Sequence, residues 1–403
     1  MRSSSLGSER FDVVVVGSGP AGSAAARTAA ESGARVLMLE EHQQVGSPVQ
    51  CTGLLSVRGV EETGASQAVL IREITGAFVY APDGRRLEIR GREAKAWVID
   101  RGELDRELAR RAEAAGVEVR TGVRAIDLEP ETGTLRILND GREGQIQAGV
   151  VVGADGPKSQ IAAWAGLPPP QKLIFGFQAV VPYRAEHKDF VEVFLGNDLA
   201  PNFFAWAVPE TDGYAKIGLG TDAGRQGRVC FDRLLARTAT QIDQVRAFQG
   251  GLIPIGPAAH TVSDRILLVG DAAGQSKPTS GGGIYTGTVC GKIAGEVAAS
   301  CALAGETSNQ ALSEYERRWR RVLGRELAFG MQFHQLLCRL SDPWIDRIFT
   351  LLDDPKVLNI ITEFGDIDYT SRLTKALAKS PRFWGRFATL LPGELDGLIR
   401  SLK

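Results

Sequence analysis

Four consecutive valines, Val13 to Val16, run into Gly17-x-Gly19-x-x-Gly22 and then an alanine-rich stretch, Ala21 to Ala30. An unbroken apolar run reads as a strand buried on both faces, as in a parallel sheet covered by helices. Each glycine has its own task. Gly17 makes the tight turn, Gly19 lets a pyrophosphate approach the backbone, and Gly22 lets helix and strand pack closely. The phosphates would sit on free N–H groups at the helix N-terminus. A second strand, Arg35 to Leu39, ends at Glu40, 18 residues beyond Gly22 and placed to accept hydrogen bonds from a ribose. The triplet alone is weak, since a tight strand–helix turn gives the same letters. Strand, triplet, helix, strand and acid in that order predict a dinucleotide-binding unit.

At 403 residues the chain exceeds one average domain, so two lobes are expected, or one large lobe carrying an inserted sheet. Its 47 basic and 48 acidic residues nearly balance, which argues against nucleic acid as a partner. The five cysteines are dispersed with no Cys-x-x-Cys pair, and the four histidines are spread out. No metal site and no Ser/His/Asp arrangement is expected, and a reducing, cytoplasmic setting fits. The N-terminal ten residues lack the apolar core of a signal peptide. Ile284 to Leu303 contains Lys292 and Glu296 and reads as a buried helix rather than a membrane span.

Beyond Glu40, Val45 to Ser56 is punctuated by glycine and proline and reads as a loop leaving the carboxyl end of the sheet, where ligands bind in open α/β folds. Cys51 in that loop is either a small buried hydrophobe or a site residue. Residues 70 to 98 read as short strands. Asp100 is a plausible N-cap for a helix to about Ala115. Arg101 at that helix's start is unusual, because cations favour the other end; a bound anion or simple solvation would explain it. Val117 to Thr121 extends the parallel sheet, and three short strands beginning at Ala125, Leu135 and Ile146 read as an antiparallel crossover. Val150 to Gly153 is a buried strand breaking at Ala154-Asp155-Gly156. Residues 172 to 222 alternate and are rich in aromatics, predicting one mostly antiparallel sheet. Ile266 to Val269 is a central strand ending on Gly270-Asp271, a carboxylate suited to a sugar-alcohol hydroxyl. Gly281-Gly282-Gly283-Ile284 opens a long helix with an anion-receptive nest. Past Gly305, four or five short amphipathic helices are expected, covering the second lobe, lining an apolar tunnel or touching a membrane surface.

Three separated pieces, Gly17-x-Gly19-x-x-Gly22 with Glu40, Gly153-Ala-Asp155-Gly156 and Gly270-Asp271, together resemble the flavoprotein family typified by p-hydroxybenzoate hydroxylase. Within it, Pro48-Val-Gln-Cys51 with Gly53 resembles the Pro-x-x-Cys loop of the geranylgeranyl reductases. Pro278 to Ile284 resembles their flavin-edge loop, and Gly365-Asp366-Ile-Asp368-Tyr369 a segment of their C-terminal domain. One strand departs. The family's Tyr-x-Trp-x-Phe-Pro-Lys is here Phe204-x-Trp206-x-Val208-Pro209-Glu210.

The resemblance implies an α/β fold: a Rossmann-type, glutathione reductase-like FAD-binding lobe, a mostly antiparallel substrate-binding sheet and a helical C-terminal region. The lobes would comprise residues 10–70, 98–168 and 258–305; 71–97 and 169–257; and 306–403. It implies FAD contacts at Gly17, Gly19, Pro20, Ala21, Gly22, Glu40, Cys51, Gly53, Arg101, Ala125, Asp155, Gly270, Asp271, Gly281, Gly282, Gly283 and Ile284. Phe204, Trp206 and Pro209 would meet the substrate. The implied reaction saturates carbon–carbon double bonds of geranylgeranyl chains, on lipids such as digeranylgeranylglycerophospholipids, by hydride from reduced FAD. Cys51 is the candidate for organising the accompanying proton donation. The implied electron donor is NADPH, a deazaflavin coenzyme or ferredoxin. The alternatives are an FAD monooxygenase, a halogenase whose active-site lysine and Trp-x-Trp-x-Ile signature are not found here, an electron-transfer flavoprotein, or a flavin-bearing lipid-binding module.

Overall fold

The computed structural model describes residues 9–211, 213–240 and 242–390. β1 (Glu9–Val16), α1 (Pro20–Glu31) and β2 (Val36–Glu40) form the expected strand–helix–strand unit, with β2 parallel to β1. β3 (Leu54–Ser56), α2 (Val57–Thr63), β4 (Leu70–Ile74), β5 (Gly76–Tyr80), β6 (Arg86–Arg90) and β7 (Ala96–Ile99) follow. α3 (Arg101–Ala114) starts on Asp100, whose carboxylate accepts from Glu103 N at 2.8 Å, as predicted. Next come β8 (Glu118–Thr121), β9 (Val123–Glu129), β10 (Thr134–Asn139), β11 (Arg142–Gly153) and α4 (Gln160–Trp164). β12 (Lys172–Pro182), β13 (Phe190–Phe194), β14 (Ala205–Pro209), β15 (Tyr214–Thr221), α5 (Gly227–Arg237) and β16 (Ala247–Ile255) build the second sheet and its cover. β17 (Val262–Ser263), β18 (Ile266–Leu268) and α6 (Ile284–Ala304) return to the first lobe. α7 (Asn309–Trp319), α8 (Arg325–Leu337), α9 (Asp342–Leu352), α10 (Pro355–Phe364), α11 (Thr370–Ala378) and α12 (Pro381–Leu390) complete the described chain.

The first sheet runs β17-β18-β11-β1-β2-β8, and β18, β11, β1, β2 and β8 pair in parallel. β11 is one strand rather than the two short ones expected. Its first half pairs antiparallel with β10, and from Ile146 onward it pairs parallel with β1, so crossover and sheet share one backbone. One sheet face packs Val13, Val15 and Val152 against alanines of α1 and α6; the other packs Val14, Leu37 and Val151 under the crossover. α1 and α6 touch through their backbones. A Cβ at Gly291 would lie 2.3 Å from Ala21 O, and one at Gly295 2.4 Å from Ala25 O. Leu312, Tyr315, Trp319 and Leu327 join this same core, so its packing continues into α7 and α8.

The second sheet, β16-β12-β15-β14-β13-β5-β6, is antiparallel except where β13 meets β5. α5 covers one face with Phe231, Leu234 and Leu235. Neither α5 nor the full length of β16 was legible in the sequence. A small third sheet, β3-β7-β4, packs Ala96 and Val98 beside Trp206 and Val208. Six helices follow α6 among the described residues, where four or five were expected. Proline in the first turn separates three of them, α9, α10 and α12, from what precedes. The residues expected after Leu390 and the N-terminal eight lie outside the described residues. No described helix is long and apolar enough to cross a membrane.

Candidate active site

The first glycine turn closes tightly. Gly17 has φ +105°, and a Cβ there would lie 2.3 Å from Ala154 O, so the β1 turn rests directly on the turn after β11. A Cβ at Gly22 would lie 1.9 Å from Gly17 O. A Cβ at Gly19 would meet nothing within 4 Å. Gly19 thus fronts open space at the N-terminus of α1, with Pro20 and Ala21 as its first residues, where a pyrophosphate belongs. At the end of β2, Glu40 Oε2 accepts from Ser18 Oγ at 2.6 Å and Ser18 N at 3.2 Å. Its Oε1 accepts from His42 N at 3.0 Å and Nδ1 at 2.7 Å. Burial pushes the Glu40 carboxyl upward, but these hydrogen bonds outweigh it and hold the group below its ordinary value. Its acceptor positions are taken, so a ribose hydroxyl would enter by displacing the half-exposed His42 ring.

Arg101 starts α3 and Asp271 lies in the turn after β18, near enough for the charge of one to act on the other. Arg101 forms an ion pair with Asp105, yet its buried Nε has no partner. Its charge also feels Cys51 and Asp271. Burial pushes the Asp271 carboxyl up to about 6, opposed by the charge of Arg101 and by no hydrogen bond. Gly283 keeps the space beside it open, since a Cβ there would lie 2.8 Å from Asp271 Oδ1. An orphaned guanidinium N–H, a carboxylate without a hydrogen bond and open space over Gly19 fit a dinucleotide bearing phosphates and a polyhydroxyl chain.

The raised Asp271 has a testable consequence. Between its unfolded value near 4 and about 6, the folded protein holds a proton that the unfolded chain has released, so stability falls as pH rises through that window. Without ligand, Asp271→Asn is expected to melt above the parent at pH 7.5, with the gap closing towards pH 4.5. A gap independent of pH would mean the charge at Asp271 is not the cause.

The loop carrying Cys51 lies on the face of the second sheet opposite α5, the face that Gln178 and Trp206 share. Thr52 Oγ1 donates to Gln178 Oε1 at 2.8 Å, and Trp206 Nε1 donates to the same oxygen at 3.3 Å. Gln178 Nε2 in turn donates to Gln249 Oε1 at 2.6 Å. Buried Lys216 donates to Thr52 O at 3.2 Å and pairs with Glu210 at 2.8 Å. Cys51 itself is half-buried, and its Sγ accepts from Gly53 N at 3.3 Å. Glycines clear this face for aromatic rings. A Cβ at Gly218 would lie 2.8 Å from Trp206, and one at Gly220 2.3 Å from Phe203. Phe203 stacks on Phe204 at 4.4 Å, and Phe204 meets Trp206 edge-on at 5.8 Å. Phe203 also reaches across to within 3.4 Å of a Cβ built at Gly281.

The structure therefore brings Gly17, Gly19, Gly22, Glu40, Arg101, Asp271 and the Gly281–Ile284 turn around one cleft, with Cys51, Phe204 and Trp206 beside it. It does not bring all the expected residues there with free side chains. Asp155 accepts from Ser159 Oγ at 2.6 Å, Gln160 N at 2.7 Å and Ile161 N at 3.1 Å, so its carboxylate caps α4. Ala125 sits half-buried on β9 opposite Ile137. Pro209 alternates with Val208 along β14 and so belongs to the sheet face opposite Trp206. Gln178, Lys216 and Phe203 were missed. The first two had a signal, a lone polar residue inside an apolar strand. Glu210 replaces the lysine of the resembling family, and its partner Lys216 comes from the adjacent strand. Glu210→Lys would set two ammonium groups together and is expected to cost about 3–5 kcal/mol, read as a drop in melting temperature.

A glycine cradle, an Arg101 with an unpartnered Nε near Asp271 and a parallel sheet backed by α1 and α6 define a dinucleotide-binding flavoprotein, and the model of the FAD binding domain family matches residues 10–328. The chain is 36% identical over 358 residues to the digeranylgeranylglycerophospholipid reductase of Methanothrix thermoacetophila, covering 84% of this chain and 90% of that one. It is 32% identical over 417 residues to digeranylgeranylglycerophospholipid reductase 2 of Methanococcoides burtonii, covering 96% and 98%. Among solved structures, a geranylgeranyl bacteriochlorophyll reductase-like protein from Thermoplasma acidophilum superposes with a TM-score of 0.83 at 26% identity, covering 96% of this chain and all of that one. A p-nitrophenol 4-monooxygenase from Pseudomonas putida, at TM-score 0.65 and 18% identity over 92% and 98% of the chains, shares the fold alone. The protein belongs to the geranylgeranyl reductase family and binds FAD.

Proposed function

We propose that this protein is an FAD-dependent oxidoreductase that saturates carbon–carbon double bonds in geranylgeranyl chains of isoprenoid lipids, with digeranylgeranylglycerophospholipids as the leading substrates. The observation that carries the reading is the Cys51 loop, tied by Thr52 to Gln178 beside Trp206 on an aromatic sheet face next to the FAD cleft. Bound FAD, once reduced, supplies the hydride. The chain's own residues hold and orient. Arg101 and Asp271 offer a guanidinium N–H and a carboxylate to the cofactor's phosphates and ribityl hydroxyls. Phe203, Phe204 and Trp206 offer an apolar wall to a polyprenyl chain. A trisubstituted alkene is not polarised and accepts hydride poorly on its own. Proton donation that builds tertiary-cation character removes that obstacle, and we place the proton at Cys51 Sγ. NADPH, a deazaflavin coenzyme or ferredoxin would reduce the flavin. Peripheral contact with a membrane surface is supported by the partly exposed Leu337, Phe364 and Ile367 of the C-terminal region.

The test is anaerobic. The protein is reduced chemically, given a digeranylgeranyl phospholipid, and the extract is weighed by mass spectrometry. Gains of about two mass units per bond, one hydride and one proton, are expected. No gain, together with oxygen uptake when aromatic compounds are offered in air, would replace the reductase with a monooxygenase.

A further inference from the structure

The segment Gly365–Tyr369 lies far along the chain from the FAD cradle, yet its acids reach the turn at the cradle's edge. Lys277 organises that turn. Its N–H donates to Gly282 O at 3.1 Å, and its carbonyl accepts from Gly281 N at 2.8 Å and Ser280 N at 3.3 Å. The side chain then folds beneath the turn, where a Cβ at Gly282 would lie 3.0 Å from Lys277 Cε. The ammonium ends on Asp368 Oδ1 at 2.6 Å, with only 9% and 1% of the two side chains exposed. The second Asp368 oxygen accepts from Arg58 Nη1 at 3.1 Å. Arg58 also bonds both oxygens of Asp366 at 3.2 Å, and it stands at the start of α2, just past the Cys51 loop. Thr279 and Thr370 hydroxyls meet at 3.1 Å, as do those of Tyr285 and Tyr369 at 3.0 Å. One short segment thus grips the turn, the first turn of α6 and α2 at once.

We propose that Asp368 is a positioning residue for FAD. Acting through Lys277, it fixes the 277–283 turn in the form that receives the flavin and keeps the Lys277 charge committed to itself. The turn then presents peptide N–H groups to the cofactor rather than a free ammonium. A buried ion pair adds little net stability over an apolar pair, but it fixes geometry, and loss of one partner leaves a charge that must find another. The inference rests on FAD binding and not on the substrate.

The test compares Asp368→Asn with the exposed neighbour variant Lys375→Ala, each stripped of FAD and titrated back. If the unpinned turn holds its receiving form a tenth of the time, the apparent Kd for FAD rises about tenfold. The flavin reduction potential is expected to move upward as well, because the freed Lys277 ammonium favours the reduced, more anionic flavin. Lys277→Met is expected to weaken FAD without raising the potential, which separates the two effects. Lys375→Ala is expected to match the parent. If Asp368→Asn melts lower but keeps the parent's Kd and potential, Asp368 is an interior ion pair only and the inference is overturned. Loss of lipid reduction with unchanged FAD binding in the parent would count against the proposed substrate and leave this inference standing.

Discussion

Gly22→Ala is expected to lose FAD and to melt well below the parent, whereas Gly19→Ala is expected to fold normally and fail only at binding. The contrast follows from where each methyl would go. At Gly22 it lies 1.9 Å from Gly17 O, a backbone atom pinned in turn against Ala154. No rotamer change relieves that clash, so α1 must move off β1 at a cost of about 3 kcal/mol or more. For a cooperative chain of 403 residues, about 3 kcal/mol corresponds to a fall of roughly 3–4 °C in melting temperature. At Gly19 the methyl meets no protein atom within 4 Å. The apoprotein should therefore melt like the parent. The methyl instead fills the space through which a pyrophosphate approaches the N-terminus of α1. Loss of one charge-assisted hydrogen bond is worth about 1.5–3 kcal/mol, or roughly a 10- to 100-fold weaker Kd for FAD. Titration of the two apoproteins with FAD, beside their melting curves, checks both. Equal melting losses for the two variants would show that the open space over Gly19 is not the phosphate path.

The same contrast explains what the sequence could reveal. The β1–α1–β2 unit was legible because its requirements are local: a buried strand, a turn without side chains and an acid at a fixed distance. Asp100 was legible as a cap for the same reason, and Arg101 stood out because a cation at a helix start violates the dipole rule. Its ion-pair partner Asp105, four residues on, and the more distant charge of Asp271 explain it only in three dimensions. The aromatic sheet was legible as a sheet, but not its working face. That face is set by register, and a strand's alternation does not say which side a helix such as α5 will cover. Pro209 was placed with Trp206 by resemblance to the family's strand, although one residue reverses the direction of a strand side chain. Gln178 and Lys216 carried a signal, polarity inside an apolar strand, that becomes meaningful once the Cys51 loop is seen to supply their partners. Asp155 sits where the sequence placed it, at the end of β11, but the hydrogen bonds of α4's N-terminus claim its oxygens.

Cys51→Ala is expected to retain FAD and lose about 100-fold or more of lipid reduction, the range that a positioned acid contributes. The residue is well placed for such a role to be separable from folding. Its Sγ has a single hydrogen bond, from Gly53 N, while the loop is held by its neighbours, Thr52 to Gln178 and Lys216 to the Thr52 carbonyl. Removing the thiol therefore removes a proton source and leaves the loop's ties intact. Two half-reactions divide the outcome. Reduction of the flavin by dithionite needs no proton on the alkene and should keep its parent rate. Reoxidation by the polyprenyl lipid, followed by the return of flavin absorbance, should slow by the full factor. Cys51→Ser should recover part of the rate, because a hydroxyl keeps a proton at nearly the same place but releases it less readily. If Cys51→Ala reoxidises with lipid as fast as the parent, the proton does not come from this loop. The buried ammonium of Lys216, which donates to the Thr52 carbonyl, would then be the next candidate, and Lys216→Met the next variant to measure.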